Sequence, residues 1–279
     1  MSAGAHSVIR YYRSRESRWG YRWLLKGVKH YGYYPLGKER ISIGAAQYLM
    51  EEHLAETLGL PSGSLVLDAG CGEGNVAHHL ADQHGLKVRG VDLLDFNIAR
   101  AKRKARQSGL DLELEVGDYH SLKYPDRTFD AVYTMETLEH SREPDRALRE
   151  FYRVLKPGGK VVLFEYTIPP DDQLTENDRQ AWSEVIKGSA MPGLLLFRHD
   201  SFPEHLAKAG FTRVRTEDIT ARTMPLLRRF YRWAIIPYQL IKLLGKREKY
   251  ANATAGATMY QAALKRDAWR YVVVSAYKP

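Results

Sequence analysis

The stretch VLDAGCGEGN, Val66–Asn75, sets three glycines and a cysteine directly behind a short apolar run that ends in aspartate. Glycine weakens helices and strands alike, so such a cluster needs a cause: a plain turn, or a backbone that must pass very close to something. What flanks it decides between these. SLVLDAG reads as a buried strand, and GNVAHHLADQHG as a helix closed by Gly85.

Outward from the loop the pattern repeats. KVRGVDL is a strand, NIARAKRKARQSG a helix closed by Gly109, and LELEVGD and FDAVYTME two further strands. DRALREFYRVLKPGG is a helix stopped by Pro157-Gly158-Gly159, and KVVLFEYT a fifth strand. Five strands alternating with helices predict an α/β fold with a doubly wound, mostly parallel sheet. DSFPEHLAKAG adds a helix with Asp200 as its cap, and TRVRTEDIT and WRYVVVSAYKP add two strands, making seven. Before the core, Ser42–Leu58 reads as a helix, with Ile43, Ala46, Leu49, Met50, Leu54 and Leu58 on one face. Residues 9–30 suggest another, interrupted near Gly20, with Ile9, Tyr12, Trp19 and Trp23 at helical spacing. The expected organisation is an N-terminal helical and aromatic lid, 1–58, and a core, 59–279, with insertions at 168–198 and 221–267. Insertions of that length usually carry function.

The formal charge of +9 is unevenly spread. Residues 1–40 and 222–249 are each net +7, so the remaining chain is net −5. The basic ends point to an anionic surface or to solvated helices. The single cysteine, Cys71, excludes an internal disulfide and favours a reducing, cytoplasmic setting. No apolar run reaches the length of a membrane span, and nothing resembles a signal peptide. His78 and His79, adjacent on a helix, face different directions and lack metal-ligand spacing, so no metal is expected.

In an open parallel sheet, ligands bind beyond the carboxyl ends of the strands, where the strand order reverses. The glycine loop lies there. Asp92 ends the second strand about 20 residues after Gly72, a usual place for a carboxylate that accepts ribose hydroxyls. Asp118 ends the third strand, where a carboxylate can take an adenine amino proton. Dinucleotide-binding proteins share the glycine loop, but the set VLDAGCGEGN, GVD, GD, FDAV…LEH and LKPGG is more specific. With these motifs the chain resembles the class I S-adenosylmethionine-dependent methyltransferases, of the small-molecule type, over roughly Ser64–Tyr166 plus the last two strands. The resemblance implies a Rossmann-like fold and S-adenosylmethionine as cofactor. It implies that Asp68, Gly70, Cys71 and Gly72 line the methionine and ribose end, with Asp92 and Leu93 at the ribose. Asp118 would hold the adenine amino group, and Gly117, Tyr119 and Met135 would complete the cofactor-binding set. Cys71 reads as a small packed residue rather than a nucleophile.

The place after the fourth strand reads TMETLEH and lacks the Pro-Pro-aromatic motif of nucleobase methylation; Pro169-Pro170 follows the fifth strand instead. A nucleic-acid partner is therefore not favoured. VKHYGYYP, Val28–Pro35, is loosely similar to the aromatic segment before the core in the sterol and tocopherol C-methyltransferase group. That favours a lipid-, isoprenoid- or terpenoid-like acceptor with carbon methylation, against oxygen or nitrogen methylation of a polar molecule or quinone precursor, or a non-catalytic scaffold. The segment RTMPLLRRFYRWAIIPYQLIKLLGKREK mixes large apolar residues with cations. Pro237 is expected to kink it or start a second helix. Two short helices would then roof the pocket and meet an anionic membrane; a homodimer interface is the rival use. Catalytic candidates are Glu136 as the acceptor-side polar group, His140 as a base or a structural hydrogen-bonder, and Tyr31 as a lid residue or simple packing.

Overall fold

The computed structural model describes residues 3–14, 16, 17, 20, 25, 27–246 and 249–279. The sheet comprises β1 (Leu65–Ala69), β2 (Lys87–Asp92), β3 (Leu112–Val116), β4 (Phe129–Met135), β5 (Leu155–Thr167), β6 (Thr212–Asp218) and β7 (Arg270–Tyr277). They lie in the order β3-β2-β1-β4-β5-β7-β6. The first five are parallel, and β7 runs antiparallel between β5 and β6. The seven-stranded, mostly parallel sheet expected from the sequence is present. Its order reverses between β1 and β4, at the glycine loop.

Period-two alternation assigns the core to two layers. Val66, Ala131, Tyr133, Val162, Phe164, Tyr271 and Val273 pack on one face, and Leu67, Val132, Val161, Leu163, Val272 and Val274 on the other. The helices follow as α1 (Ala3–Arg13), α2 (Ile43–Leu58), α3 (Asn75–His84), α4 (Asp95–Ser108), α5 (Pro144–Val154), α6 (Glu176–Gly188), α7 (Phe202–Lys208), α8 (Thr220–Leu243) and α9 (Ala251–Arg266). α2 presents Ala46, Met50, Leu54 and Leu58 to the first layer; α5 presents Ala147, Leu148 and Phe151 to the second. Ser42 caps α2 by accepting the Ala45 N–H, and Gly59, Gly85 and Gly109 end α2, α3 and α4 in the left-handed conformation.

Several local expectations are corrected. α5 stops at Val154, and the Leu155–Gly159 stretch belongs to β5, not to the helix. Asp200 does not cap α7: Ser201 occupies that position, with no side-chain capping bond, and its hydroxyl instead accepts the Arg198 N–H. Neither Pro225 nor Pro237 breaks α8, which is 24 residues long; the second helix of the insertion begins only at Ala251. Close packing compensates for the missing amide bonds. A Cβ on Gly256 of α9 would sit 3.1 Å from the Ala234 Cβ of α8, so the two helices meet almost backbone to backbone. The N-terminal helix starts at Ala3 rather than near residue 9; Trp19 and Trp23 lie outside the described residues.

Part of the basic character of 222–249 serves folding. The guanidinium of Arg222 lies over the Tyr33 ring, Arg229 donates to the Ile41 carbonyl at 2.9 Å, and Arg228 donates to the Tyr260 hydroxyl at 3.1 Å. Beyond these, α8 exposes Trp233, Ile236, Leu240 and Leu243, with Leu244 just past its end. Among the described residues no helix is long and apolar enough to cross a membrane.

Candidate active site

The carboxyl ends of β1, β2 and β4 and the loop after β3 converge on one pocket. Asp68, Gly70, Cys71, Gly72, Asp92, Leu93, Asp118, Tyr119, Met135, Glu136 and His140 all line it. Gly117 is not among its lining residues; its amide bonds to the Asp92 carbonyl and so fixes the end of β3. Two of the loop glycines are needed for different reasons. Gly70 has φ +99°, and a Cβ there would come within 2.1 Å of the Thr137 side chain. Gly72 has φ +53° and only open space where a Cβ would point, so its backbone borders the pocket directly.

The acidic side chains divide by environment. Asp68 is 4 % exposed, and its Oδ2 has no hydrogen-bond partner. Burial pushes its carboxyl up to about 7. An orphaned buried carboxylate oxygen beside a glycine cradle suits a cationic amino group such as that of a bound methionine moiety. Asp92 accepts the Leu94 N–H at 2.8 Å and the Asn97 amide at 3.1 Å through Oδ1, and the Gly72 N–H at 3.0 Å through Oδ2. Three of its roughly four acceptor sites are filled, leaving one for a hydroxyl on a ligand. Burial raises its pKa. The Asp118 carboxylate is gripped by the His120 ring at 2.6 Å and amide at 2.9 Å, which lowers its pKa. Burial pushes the Cys71 thiol well up, so Cys71 is packing and not a nucleophile.

The Asp68 carboxyl makes a pH prediction. A carboxyl whose folded pKa is near 7 holds a proton that the unfolded chain has lost above about 4. Its contribution to stability is complete below about 4 and disappears as pH rises through about 7. The ligand-free Asp68→Asn variant lacks this dependence. Its melting temperature therefore gains on that of the unmodified chain between pH 5 and pH 8, measured by thermal unfolding. A gap that does not change with pH would mean that Asp68 is ionised throughout.

A second chamber, of about 370 Å³, adjoins the first. Tyr12, Lys29, His30, Glu136 and His140 line both. The remaining wall is mainly apolar and aromatic, including Tyr11, Tyr31, Tyr166, Phe230, Trp233, Pro237 and Met259. α1 and the Val28–Pro35 segment reach this wall from the N-terminal part. Tyr33 N–H bonds to the Ala46 carbonyl and Tyr34 N–H to the Arg222 carbonyl, which ties the segment between α2 and α8. The Tyr31 ring packs among Tyr166, Phe230, Trp269 and Tyr271, with centroids 5.7–5.9 Å away. It is both a packing residue and a chamber wall.

Glu136 lies between the chambers with φ +55°. Its carboxylate accepts the Tyr31 N–H at 2.5 Å, the Tyr271 hydroxyl at 3.0 Å and the Tyr166 hydroxyl. Its oxygens are thus occupied in ordering the aromatic wall. Burial pushes its pKa up to about 7. His140 Nδ1 donates to the Ala190 carbonyl at 2.7 Å, so Nε2 is the acceptor that takes the Tyr12 hydroxyl at 2.9 Å. Burial lowers its pKa to about 4, which keeps the ring neutral.

Sequence reasoning passed over two contributors, Lys29 and Tyr12, and bracketed Glu139 with Glu136 and His140 at the pocket mouth without preferring it. Lys29 donates to Asn97 at 2.9 Å, and burial lowers its pKa. The Tyr12 hydroxyl stands at the junction of the chambers. Glu139 is 2 % exposed, lines the second chamber, and has an Oε2 without a partner. Burial, and then the neighbouring Glu165 carboxylate, raise its pKa strongly. Glu165 itself accepts from Thr134 Oγ1 and the amides of Thr137 and Leu138 through Oε1, and from the Glu139 amide through Oε2. Nothing in the sequence marks Lys29.

A methyltransferase-domain family model matches residues 67–163. A curated S-adenosyl-L-methionine-dependent Diels-Alderase of Talaromyces variabilis is 35% identical, over 99% of this chain and 96% of that protein. A sterol 24-C-methyltransferase of Eremothecium gossypii is 33% identical, over 60% of this chain and 45% of the relative. Among solved structures, the four-plus-two cyclase SpnF superposes with a TM-score of 0.71 at 28% identity, covering 90% of this chain and 87% of that one. With the reversal of strand order at a glycine cradle and an orphaned carboxylate beside it, these matches identify the chain as a member of the class I S-adenosylmethionine-dependent methyltransferases, enzymes for which S-adenosylmethionine is the cofactor.

Proposed function

We propose that this chain transfers the methyl group of S-adenosylmethionine to a large, mostly apolar small molecule held in the second chamber. The observation that carries the reading is the apolar, aromatic chamber of about 370 Å³ joined to the cofactor pocket through Tyr12, Glu136 and His140. In this reading Asp68 receives the methionine amino group, Asp92 a ribose hydroxyl, and Asp118 with Tyr119 the adenine. The sulfonium supplies an already activated methyl group. The protein's own part is alignment and proton handling. Tyr12 and the neutral His140 hold or take a proton at the junction, and the Glu139 acid hydrogen-bonds an oxygen of the acceptor. The wall of tyrosines and Phe230 suits a cation formed on methylation of an alkene carbon, which favours carbon over oxygen or nitrogen as the methylated atom. Incubation with methyl-labelled S-adenosylmethionine and fractionated cell extract tests this. Label is expected in the apolar fraction; label confined to the polar fraction contradicts it.

The full-length relative favours a second reading, in which the same chamber folds an apolar polyene for ring closure and the bound sulfonium acts as a fixed charge. The two differ in the product. Methyl transfer makes it one methylene heavier and releases S-adenosylhomocysteine; ring closure leaves its mass unchanged and the cofactor intact. In either case Glu139→Gln is expected to lower turnover of the identified substrate at least about tenfold while leaving S-adenosylhomocysteine affinity within about twofold. Unchanged turnover removes Glu139 from the chemistry.

The stripe Trp233, Ile236, Leu240 and Leu243, continued by Leu244 just past the end, lies on the helix whose Phe230, Trp233 and Pro237 border the chamber, with Arg232, Lys242 and Lys246 exposed nearby. We infer that this stripe rests on an anionic lipid surface from which the acceptor enters. The chain is expected to sediment with anionic vesicles at low salt and to be released by salt. No sedimentation at low salt contradicts the inference.

A further inference from the structure

Away from both chambers, three side chains from two helices converge. Glu52 of α2 points its Oε1 at His79 Nε2, 2.7 Å away, and at His84 Nε2, 3.0 Å away, both on α3. The three candidate ligand atoms all lie within 4.8 Å of one another. Sequence spacing conceals this, because the histidines are five residues apart and the carboxylate comes from another helix.

A second feature bears on what fits there. His79 is buried, and its other nitrogen, Nδ1, faces Glu51 Oε2 at 3.2 Å. Glu51 is itself held from behind by His30 Nε2 at 3.3 Å. A carboxylate behind an imidazole can hold the proton on the rear nitrogen and turn the lone pair of the front nitrogen outward, as the outer-shell partners of metal-bound histidines do. Both carboxylates, Glu51 and Glu52, can only accept, so a neutral ring donates to one of them, Glu52 at 2.7 Å being the nearer, and leaves its other nitrogen's lone pair facing the second. Two lone pairs at this distance repel, unless the ring carries a second proton or a cation lies among the three groups.

We propose that Glu52, His79 and His84 bind a divalent transition-metal cation of the zinc type. Two imidazoles and one carboxylate form a donor set suited to such an ion. The His79 and His84 ring centroids are 5.6 Å apart and tilted by 52°, so both front nitrogens can reach one ion with small side-chain adjustments. The Glu52 and His84 side chains are 28 % and 31 % exposed, which gives the metal a route in and lets water complete its coordination. The site is structural. It clamps α2 to α3, and α2 holds the Val28–Pro35 segment through the bonds from Gln47 to the His30 carbonyl and from Tyr33 to the Ala46 carbonyl. Metal binding therefore stabilises the roof of the second chamber at a distance from the reaction.

The experiment uses the full chain, stripped of metal by chelator and dialysed, and reads zinc chloride binding by calorimetry and thermal unfolding. One equivalent is expected to bind and to raise the melting temperature. Cobalt(II) in its place is expected to show the visible absorption of a four-coordinate ion. His84→Gln and Glu52→Gln each lose this binding by at least tenfold, while their S-adenosylhomocysteine affinity, which confirms folding, stays as in the unmodified chain. Absence of binding by the unmodified chain overturns the proposal. So does binding that persists undiminished in both variants, since the ion would then lie elsewhere.

Discussion

Replacing Asp92 by alanine is expected to weaken S-adenosylhomocysteine binding roughly a hundredfold, read as Kd by calorimetry. Two losses combine. A ligand hydroxyl loses a charged acceptor, worth about 1.5–3 kcal/mol. The glycine loop also loses the bond from the Gly72 N–H to Oδ2, and the start of α4 loses the bonds from Leu94 and Asn97 to Oδ1. The variant should still fold, because Asp92 ends β2 at the sheet's edge of the pocket and is not part of either apolar layer. Asp92→Asn keeps the shape but loses the charge and is expected to fall between the two. An unchanged Kd in the alanine variant would mean that the carboxylate neither holds the ligand nor shapes the loop for it.

The second large effect concerns stability. Trp269→Ala is expected to cost about 3–5 kcal/mol, measured by denaturant unfolding. Trp269 is fully buried, with ring centroids of Tyr166, Tyr31 and Tyr271 at 5.4, 5.8 and 6.3 Å. Its removal leaves a void behind the chamber's aromatic wall that neighbours fixed by Glu136 cannot close. The cofactor pocket lies on the far side of Glu136, so S-adenosylhomocysteine affinity in the folded variant should change little. A cost below about 1 kcal/mol would show that the wall relaxes into the space and is not rigidly held.

What the sequence made legible follows from how local each determinant is. The strands were readable because alternate residues such as Val66 and Leu67 must enter different apolar layers. The helix ends at Gly85 and Gly109 were readable because a left-handed residue favours glycine. The glycine loop pointed to the pocket at the ends of β1, β2 and β4 because only glycine tolerates the conformation and close approach at Gly70. Misreadings arose where a distant contact overrides local preference. Pro237 reads as a kink or as the start of a second helix, and α8 instead continues through it as one helix, closely packed by α9. Pro157 and the two glycines look like a helix stop, but α5 has already ended at Val154. On the acceptor side, Glu136 drew attention by its position after β4, although its oxygens are filled by tyrosines up to 135 residues away. Glu139, with an oxygen left over, is distinguished only by its surroundings, and so are Lys29 and the meeting of Glu52 with His79 and His84.

The central claim is that a cofactor in the glycine-cradled pocket aims its sulfur at the aromatic chamber, through the junction of Tyr12, Glu136 and His140. A crystal structure of the chain with S-adenosylhomocysteine tests it most directly. The account predicts the amino group at Asp68, the ribose at Asp92, the adenine beside Asp118, and the sulfur facing that junction. A nucleoside bound elsewhere, or a sulfur walled off from the chamber by protein, would contradict it.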